Sequence, residues 1–270
     1  MYDVALSVLA CIRADTDVHV AWLVGSDTEA VALTPGGGRI GSLLNGAIND
    51  AITQSVAAVG DSGGVVDIHV GPAEAIIGGL TEGADLRIGI IPGSAVPESV
   101  WTSLADREPV EFAFHVTDSA IDGFETHPDT SSIDDEEWLV CTFVPTPRAL
   151  IVGGGPIAAA LADGFALVGW EPIAAAGPGE AGGIAPTLAP LDAVVVMGHD
   201  VEMSGRSLQA AVSSRAGYIG SVGSQDMQEL RREWLAYRGA SWDTRIHGPA
   251  GLPIGASNPG EIALSIVAEA

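Results

Sequence analysis

The chain has 270 residues, nearly half of them hydrophobic and few aromatic. That length allows one large domain or two ordinary ones, with a sizeable core built mainly from Ala, Val, Ile and Leu. The formal charge is -24 and all 11 basic side chains are arginine, so the surface repels phosphate backbones and anionic membranes and a nucleic-acid partner is not expected.

In chain order, residues 2–14 read as an apolar-faced helix. The early Asp3 and the lack of a basic leader argue against a signal peptide. No apolar run reaches the roughly 18 residues of a membrane span, so a cytoplasmic protein is expected. Residues 18–24 and 29–33 form a strand pair around the turn Gly25-Ser26-Asp27. The segment GSLLNGAIND follows a glycine turn and leads into a helix ending near Gly60. Residues 65–70 and 86–91 look like buried strands, and Pro97 suits the first position of a helix to residue 106. Residues 110–117 alternate, with Val110, Phe112, Phe114 and Val116 on one face and His115 on the solvent face. An acidic loop or hairpin spans residues 118–137, and residues 138–144 form a strand. Cys11 and Cys141 are far apart and make neither a metal-type pair nor a disulfide framework.

Pro145-Thr146-Pro147 is a short stiff linker, which divides the chain into domains 1–144 and 147–270. The second alternates strand and helix: strands at 149–152, 170–176, 191–197 and 216–219, helices at 156–168, 204–213, 226–237 and 259–270. This pattern predicts an α/β fold, a doubly wound parallel sheet with helices on both faces. Asn258, Pro259 and Glu261 give the last helix its N-terminal signals.

Ligands in such a sheet bind beyond the carboxyl ends of the strands, so the segments after each strand matter most. The first is Gly153-Gly154-Gly155-Pro156-Ile157-Ala158, a glycine turn that can bring backbone and helix start to a phosphate. An acid for ribose hydroxyls is missing about 20 residues on, where Ile173-Ala174-Ala175-Ala176 falls. Next comes Gly198-His199-Asp200, either a polar pair facing the cleft or a cap of the following loop. Gly220-Ser221-Val222-Gly223-Ser224 can form an anion nest or simply cap a helix, and Asp226 already meets part of that dipole. The segment 246–256 is too rich in glycine to be a packing element and suggests contact with a ligand or the other domain. The motifs G-x-S-x-G, H-E-x-x-H and G-x-x-x-x-G-K-[ST] are absent from the sequence, which removes the basis for hydrolase, zincin and P-loop readings.

YIGSVGS, RIHGPAGLPIGASNPGEIALSIVAE, VVVMGHD and PRALIVGGGPIAAALA together resemble the XdhC/CoxI family, accessory factors of xanthine and carbon monoxide dehydrogenases. The resemblance is strongest from Pro147 onward and weaker at GSLLNGAIND. It implies a Rossmann-like second domain. It also implies a maturation factor, not an enzyme, that binds molybdenum cofactor and delivers it to an apo-hydroxylase alongside a cofactor sulfurtransferase. The family's members work as chaperones of that cofactor, and a homodimer is compatible with the reading. By motif position, the implied cofactor residues are Gly153, Gly155, His199, Asp200, Gly220, Gly223, Ser224 and His247. Ser42, Asn45 and the His247 loop would close over the pterin, and no metal ligand is implied. The family's cysteine falls on Ala47 and its neighbouring acid on Asn49. Pro156, Ala176 and Gln225 replace the histidine, aspartate and basic residue of its other motifs. A thiolate is the best soft ligand or sulfur nucleophile, and alanine is neither. The alternative is an NAD(P)-dependent oxidoreductase or nucleotide-binding regulator with His199 as proton donor, which the missing ribose acid disfavours.

Overall fold

The computed structural model describes residues 1–25, 29–126 and 138–270. Ser26 and Asp27 of the predicted turn, and residues 127–137 of the predicted acidic loop, lie outside the described residues. The chain divides into two compact units, Met1–Pro145 and Thr146–Ala270.

In the first unit the order is α1 (Tyr2–Arg13), β1 (His19–Leu23), β2 (Ala30–Leu33), β3 (Arg39–Gly41), α2 (Asn49–Val59), β4 (Gly64–His69) and α3 (Pro72–Gly78). It continues through β5 (Asp85–Pro92), α4 (Glu98–Ala105), β6 (Val110–Thr117), β7 (Ala120–Thr126) and β8 (Trp138–Phe143). The strands form an eight-stranded sheet, β3-β2-β1-β5-β4-β7-β6-β8. Every pairing in it is antiparallel. Because side chains alternate along a strand, β1 sends Val20 and Trp22 into a core with Val4 and Val8 of α1 and Trp101 of α4. Its Ala21 joins Val31, Ile88 and Ile90 against Ile52 of α2 on the other face. Burial on both faces is why β1 reads as an unbroken apolar run.

Three expectations change here. Pro97 is the N-cap, with φ -54 and ψ 142, so the helix begins one residue later at Glu98. His115 is half-buried, not a plain solvent-face residue, for it hydrogen-bonds Asp122 of β7 and meets the Trp138 ring edge-on. The short β3 and α3 were not expected; neither buries a residue, so neither leaves a periodic apolar signal.

The second unit runs β9 (Arg148–Val152), α5 (Pro156–Leu167), β10 (Glu171–Ala175), α6 (Pro178–Ile184), β11 (Ala193–Val196) and α7 (Val201–Val212). Then come β12 (Tyr218–Ser221), α8 (Gln225–Tyr237), β13 (Ile246–His247) and α9 (Pro259–Glu269). Its five-stranded sheet has the order β10-β9-β11-β12-β13. All four pairings are parallel, the expected Rossmann-like arrangement. Leu150, Val152, Val194, Val196 and Ile219 pack with Ala181 of α6, Leu208 of α7 and Leu235 of α8. Ala149, Ile151, Ala193 and Val195 pack with Leu161 and Phe165 of α5 and Ile266 of α9. Each fully buried Val, Leu, Ile or Phe side chain among these contributes about 1.5–3 kcal/mol.

Polar side chains pin the ends of this sheet. The buried Asp192 carboxylate accepts from Arg148 N at 2.8 Å and Ala189 N at 2.7 Å, fixing the start of β9. Arg245 donates to the carbonyl of Val212, the last residue of α7, and to those of Ser214 and Ala216 beyond it. It also pairs with Asp243, whose carboxyl it holds below the ordinary range. Helix α7 begins at Val201, three residues before the sequence suggests, because Asp200 caps it. Glu261 departs from a simple capping box. Asn258 Oδ1 accepts from Glu261 N at 3.0 Å, but the Glu261 carboxylate accepts from Ser257 N, one residue upstream of the cap.

Candidate functional site

Strand order reverses around β9: the chain turns to β10 on one side and then crosses to β11 on the other. A crevice opens at such a point, beyond the carboxyl ends of the two central strands. Here it is bordered by the turn Gly153–Gly155 after β9 and by Met197–Asp200 after β11. Gly153 N donates to Ala175 O and Met197 N to Val152 O, each at 2.9 Å, so the strand ladder extends into both turns. Gly153 has φ +119, and a Cβ there would lie 3.3 Å from Met197 Cβ; glycine meets both demands. Gly155 is the N-cap of α5 with φ 91 and ψ -170, a conformation essentially reserved for glycine.

Above this turn the space is open: a Cβ on Gly154, Gly155 or Gly198 would meet nothing within 4 Å. The start of α5 is also bare, with no side-chain cap and no acid in its first turn. The other helices of this unit carry Glu180, Glu202, Asp226 and Glu261 in their first turns. The unmet N–H groups and positive dipole end of α5 therefore remain available to an anion.

The neighbouring turns are more occupied. His199 and Asp200 are exposed, but Asp200 Oδ1 accepts from Met203 N at 2.9 Å, so that carboxylate serves as the helix cap. Ser224 likewise caps α8, accepting from Met227 N at 3.4 Å. Gly220 is packed, since a Cβ there would lie 3.0 Å from the Tyr218 ring and 3.3 Å from Ala250 Cβ. Gly223 O accepts from Gln228 Nε2 at 3.1 Å, as does Ser221 O. Gln228 Oε1 is buried with no partner among the described residues.

Arg231 of α8 lies beneath these turns, fully buried. Its guanidinium donates to Gly198 O at 2.6 Å, Val222 O at 2.8 Å, Ser221 Oγ at 2.7 Å and Ser204 Oγ at 3.0 Å. One side chain thereby ties the segment after β11 to the segment after β12. Burial pulls its pKa below the ordinary arginine value. Sequence reading missed Arg231 because arginine is ordinarily a surface residue. The available signal was spacing, for positions 228, 231 and 235 form the buried stripe of α8.

The family model of the XdhC Rossmann domain matches residues 149–270. Over these residues the C-terminal unit is similar to the XdhC Rossmann domain. The match covers the glycine turn, the His199-Asp200 segment, Ser224 and the C-terminal loop. No curated protein matches the chain. A crystal structure described as a xanthine dehydrogenase from Bacillus halodurans aligns over 98% of this chain and 94% of its own. Its identity is 18% and its TM-score 0.46, too distant a likeness to transfer fold or function.

Within the C-terminal unit, His247 stands apart from the glycine turn, on the edge strand of the sheet. It is exposed in β13. Its ring lies 4.8 Å from that of Tyr218, and Nδ1 is 3.6 Å from Glu269 Oε1 on α9. Tyr218 OH and Gly251 N both donate to Glu269 Oε2 at 2.7 Å. The loop after His247 packs only in part: Ala250 and Gly251 are held, while Pro249 and Leu252 through Gly255 are exposed. A Cβ on Gly251 would lie 2.3 Å from Ser265 Oγ, so close contact with α9 excludes a side chain there.

Ser42 and Asn45 belong to the first unit, where both are exposed. Ala47 is half-buried beside the core that holds Leu43, Ile48 and Ile52. A separate cleft of about 820 Å³ in this unit has Asp15, Asp17, His19, Arg39 and Asp61 among its lining residues and touches none of the predicted site residues. The donor set is poor in soft ligands. Cys141 is buried with its thiol pushed up to about 12, which keeps it protonated. No group of three metal-binding side chains occurs among the described residues. What the open turn and bare helix start can take is an anion such as a phosphate group.

Proposed function

We propose that the chain is a non-enzymatic maturation factor for molybdenum hydroxylases of the xanthine or carbon monoxide dehydrogenase type. It takes molybdenum cofactor by its phosphate and hands it to the apo-enzyme, with a sulfurtransferase as the second partner. The observation that carries this reading is the uncapped, acid-free start of α5 beneath open space, in a unit that matches the XdhC Rossmann family model. In a chain of charge -24, an acid-free helix start at the ligand edge is where an anion is least repelled.

The cofactor brings the redox centre that the client uses. The amides of Gly154, Gly155, Ile157 and Ala158 receive its phosphate, Gly153 lets the turn close against Met197, and His199 borders the crevice. With Ala47 at the family's cysteine position, retention depends on backbone amides and not on a thiolate. Mass spectrometry of what copurifies with the native chain, and calorimetric titration with purified cofactor, test the reading. A pterin phosphate in the first and saturable binding in the second are expected; a chain that binds neither the cofactor nor pyrophosphate overturns it.

One observation favours a second reading, a nucleotide with a ribose. The Glu180 carboxylate accepts from Ala176 N at 2.8 Å, which places an acid at the tip of β10 beside the glycine turn. Sequence counting stopped at the strand and missed it. The same bond also closes the start of α6, as Glu261 does for α9, so only its second oxygen would serve a ribose. Fluorescence titration decides: NADH binding that Glu180→Gln abolishes establishes this reading, and no binding removes it.

A further inference from the structure

Acids outnumber arginines 35 to 11 in this chain, so a basic group rarely lacks a carboxylate nearby. Arg13, Arg39, Arg148, Arg206 and Arg245 each pair with one. Arg231, the most deeply buried basic group, does not. Among the described residues its acceptors are two carbonyls and two hydroxyls. These use four of the five guanidinium N–H groups, and one hydrogen on Nη2 remains unspent. A buried cation without a counter-ion is costly to desolvate, and neutral acceptors recover only part of that cost.

Its place is as telling as its charge. Nη2 reaches the carbonyl of Gly198, the residue over which space is open. Gly198 follows Met197, whose Cβ faces Gly153. The charge therefore sits under the side of the crevice across from the glycine turn, at the edge where α5 starts bare.

We infer that Arg231 is the fixed counter-charge of this crevice, a positioning residue that selects a multiply charged phosphate, such as a phosphomonoester or pyrophosphate, without touching it. The inference rests on the phosphate reading above. The guanidinium holds the Gly198 and Val222 carbonyls at a set spacing, and its uncancelled charge favours each additional negative charge on the ligand. In a low-dielectric setting such a fixed charge acts over more than one contact distance.

Inorganic pyrophosphate is the probe, titrated calorimetrically into the full chain at two ionic strengths, with thermal melts confirming the fold. Three variants separate charge from mere stapling. Arg231→Met removes both the charge and the fork, Arg231→Lys keeps the charge, and Ser221→Asp sets a carboxylate against Nη1 with Arg231 intact. On the charge reading, Arg231→Met and Ser221→Asp weaken pyrophosphate about tenfold or more and flatten its salt dependence, while Arg231→Lys stays within about threefold. If Arg231→Met does not fold, the contrast between Arg231→Lys and Ser221→Asp decides alone. Equal losses in both Arg231 variants with Ser221→Asp unchanged would make the residue a staple and overturn the inference. Parent-like affinity in every variant, with binding still abolished by Gly155→Asp, would overturn it and leave the phosphate reading standing. A parent that does not bind pyrophosphate would overturn the inference, and the phosphate reading would fall with it if purified cofactor did not bind either.

Discussion

Two turns at the carboxyl edge of the second sheet look alike in composition and differ in physics. Gly153–Gly155 leads from β9 into α5, and Val222-Gly223-Ser224 leads from β12 into α8. The first ends on a glycine cap and a helix start without acid. The second ends on Ser224, whose hydroxyl takes Met227 N, with Asp226 in the first turn. At the second turn the helix N–H groups and dipole are partly satisfied by the chain itself. At the first they are not. Glycine content therefore does not mark an anion site; unclaimed donors do.

The comparison is broken most easily at Gly155. Gly155→Asp places a carboxylate at the open turn and should weaken pyrophosphate by about 100-fold or more through direct repulsion. Gly155→Ala is the control, since both substitutions carry the backbone strain of about 1–3 kcal/mol. If alanine costs as much affinity as aspartate, turn geometry and not charge decides binding, and titration of the two side by side shows which. The converse experiment strips the second turn. Ser224→Gly with Asp226→Asn should create weak, salt-sensitive sulfate binding near α8, seen as chemical-shift changes confined to Gly223 and its neighbours; an unchanged spectrum would mean that free helix donors are not sufficient.

Smaller effects sharpen the contrast. Ser224→Ala should cost about 1 kcal/mol of stability, the worth of an N-cap, and leave pyrophosphate affinity unchanged; loss of affinity would show that Ser224 touches the ligand. Ala47→Cys, in the other unit, should leave pyrophosphate affinity unaltered and raise affinity for intact molybdenum cofactor a little, in a manner that a thiol blocker reverses. Equal affinities with and without the blocker would place residue 47 away from the ligand. Packing strain there should be modest because only one sulfur is added.

The parts of this molecule that were legible in the sequence are those with periodic burial. The strands β9 and β11 are runs of valine, isoleucine and leucine that lead into glycine turns, β12 is a shorter buried run, and the buried central strands of a parallel sheet have that signature. Helix α6 was hidden because PGEAGGI holds three glycines, poor helix formers. Its packing against β9 and β10, through Ala181, decides its structure. The glycine turn was visible as a motif, but its bare helix start gains meaning only beside the four acid-bearing starts around it. Arg231 was invisible for the opposite reason: a charged residue on a core stripe contradicts the polarity rule that sequence reading uses. Glu180 lay beyond the strand tip and returns to it only through the helix turn.

Arg245 has a mechanical consequence. Its guanidinium gathers the carbonyls of Val212, Ser214 and Ala216 while Asp243 grips its other side. The exit of α7, the approach to β12 and the arrival of β13 thus meet in one joint. β13 itself is held to β12 along only a two-residue stretch, too short to bear load. A pull on the C-terminal segment would load the packing of α9 and then the short β13 ladder before it reached Arg245, whose several charge-assisted bonds make that joint the last hold to let go.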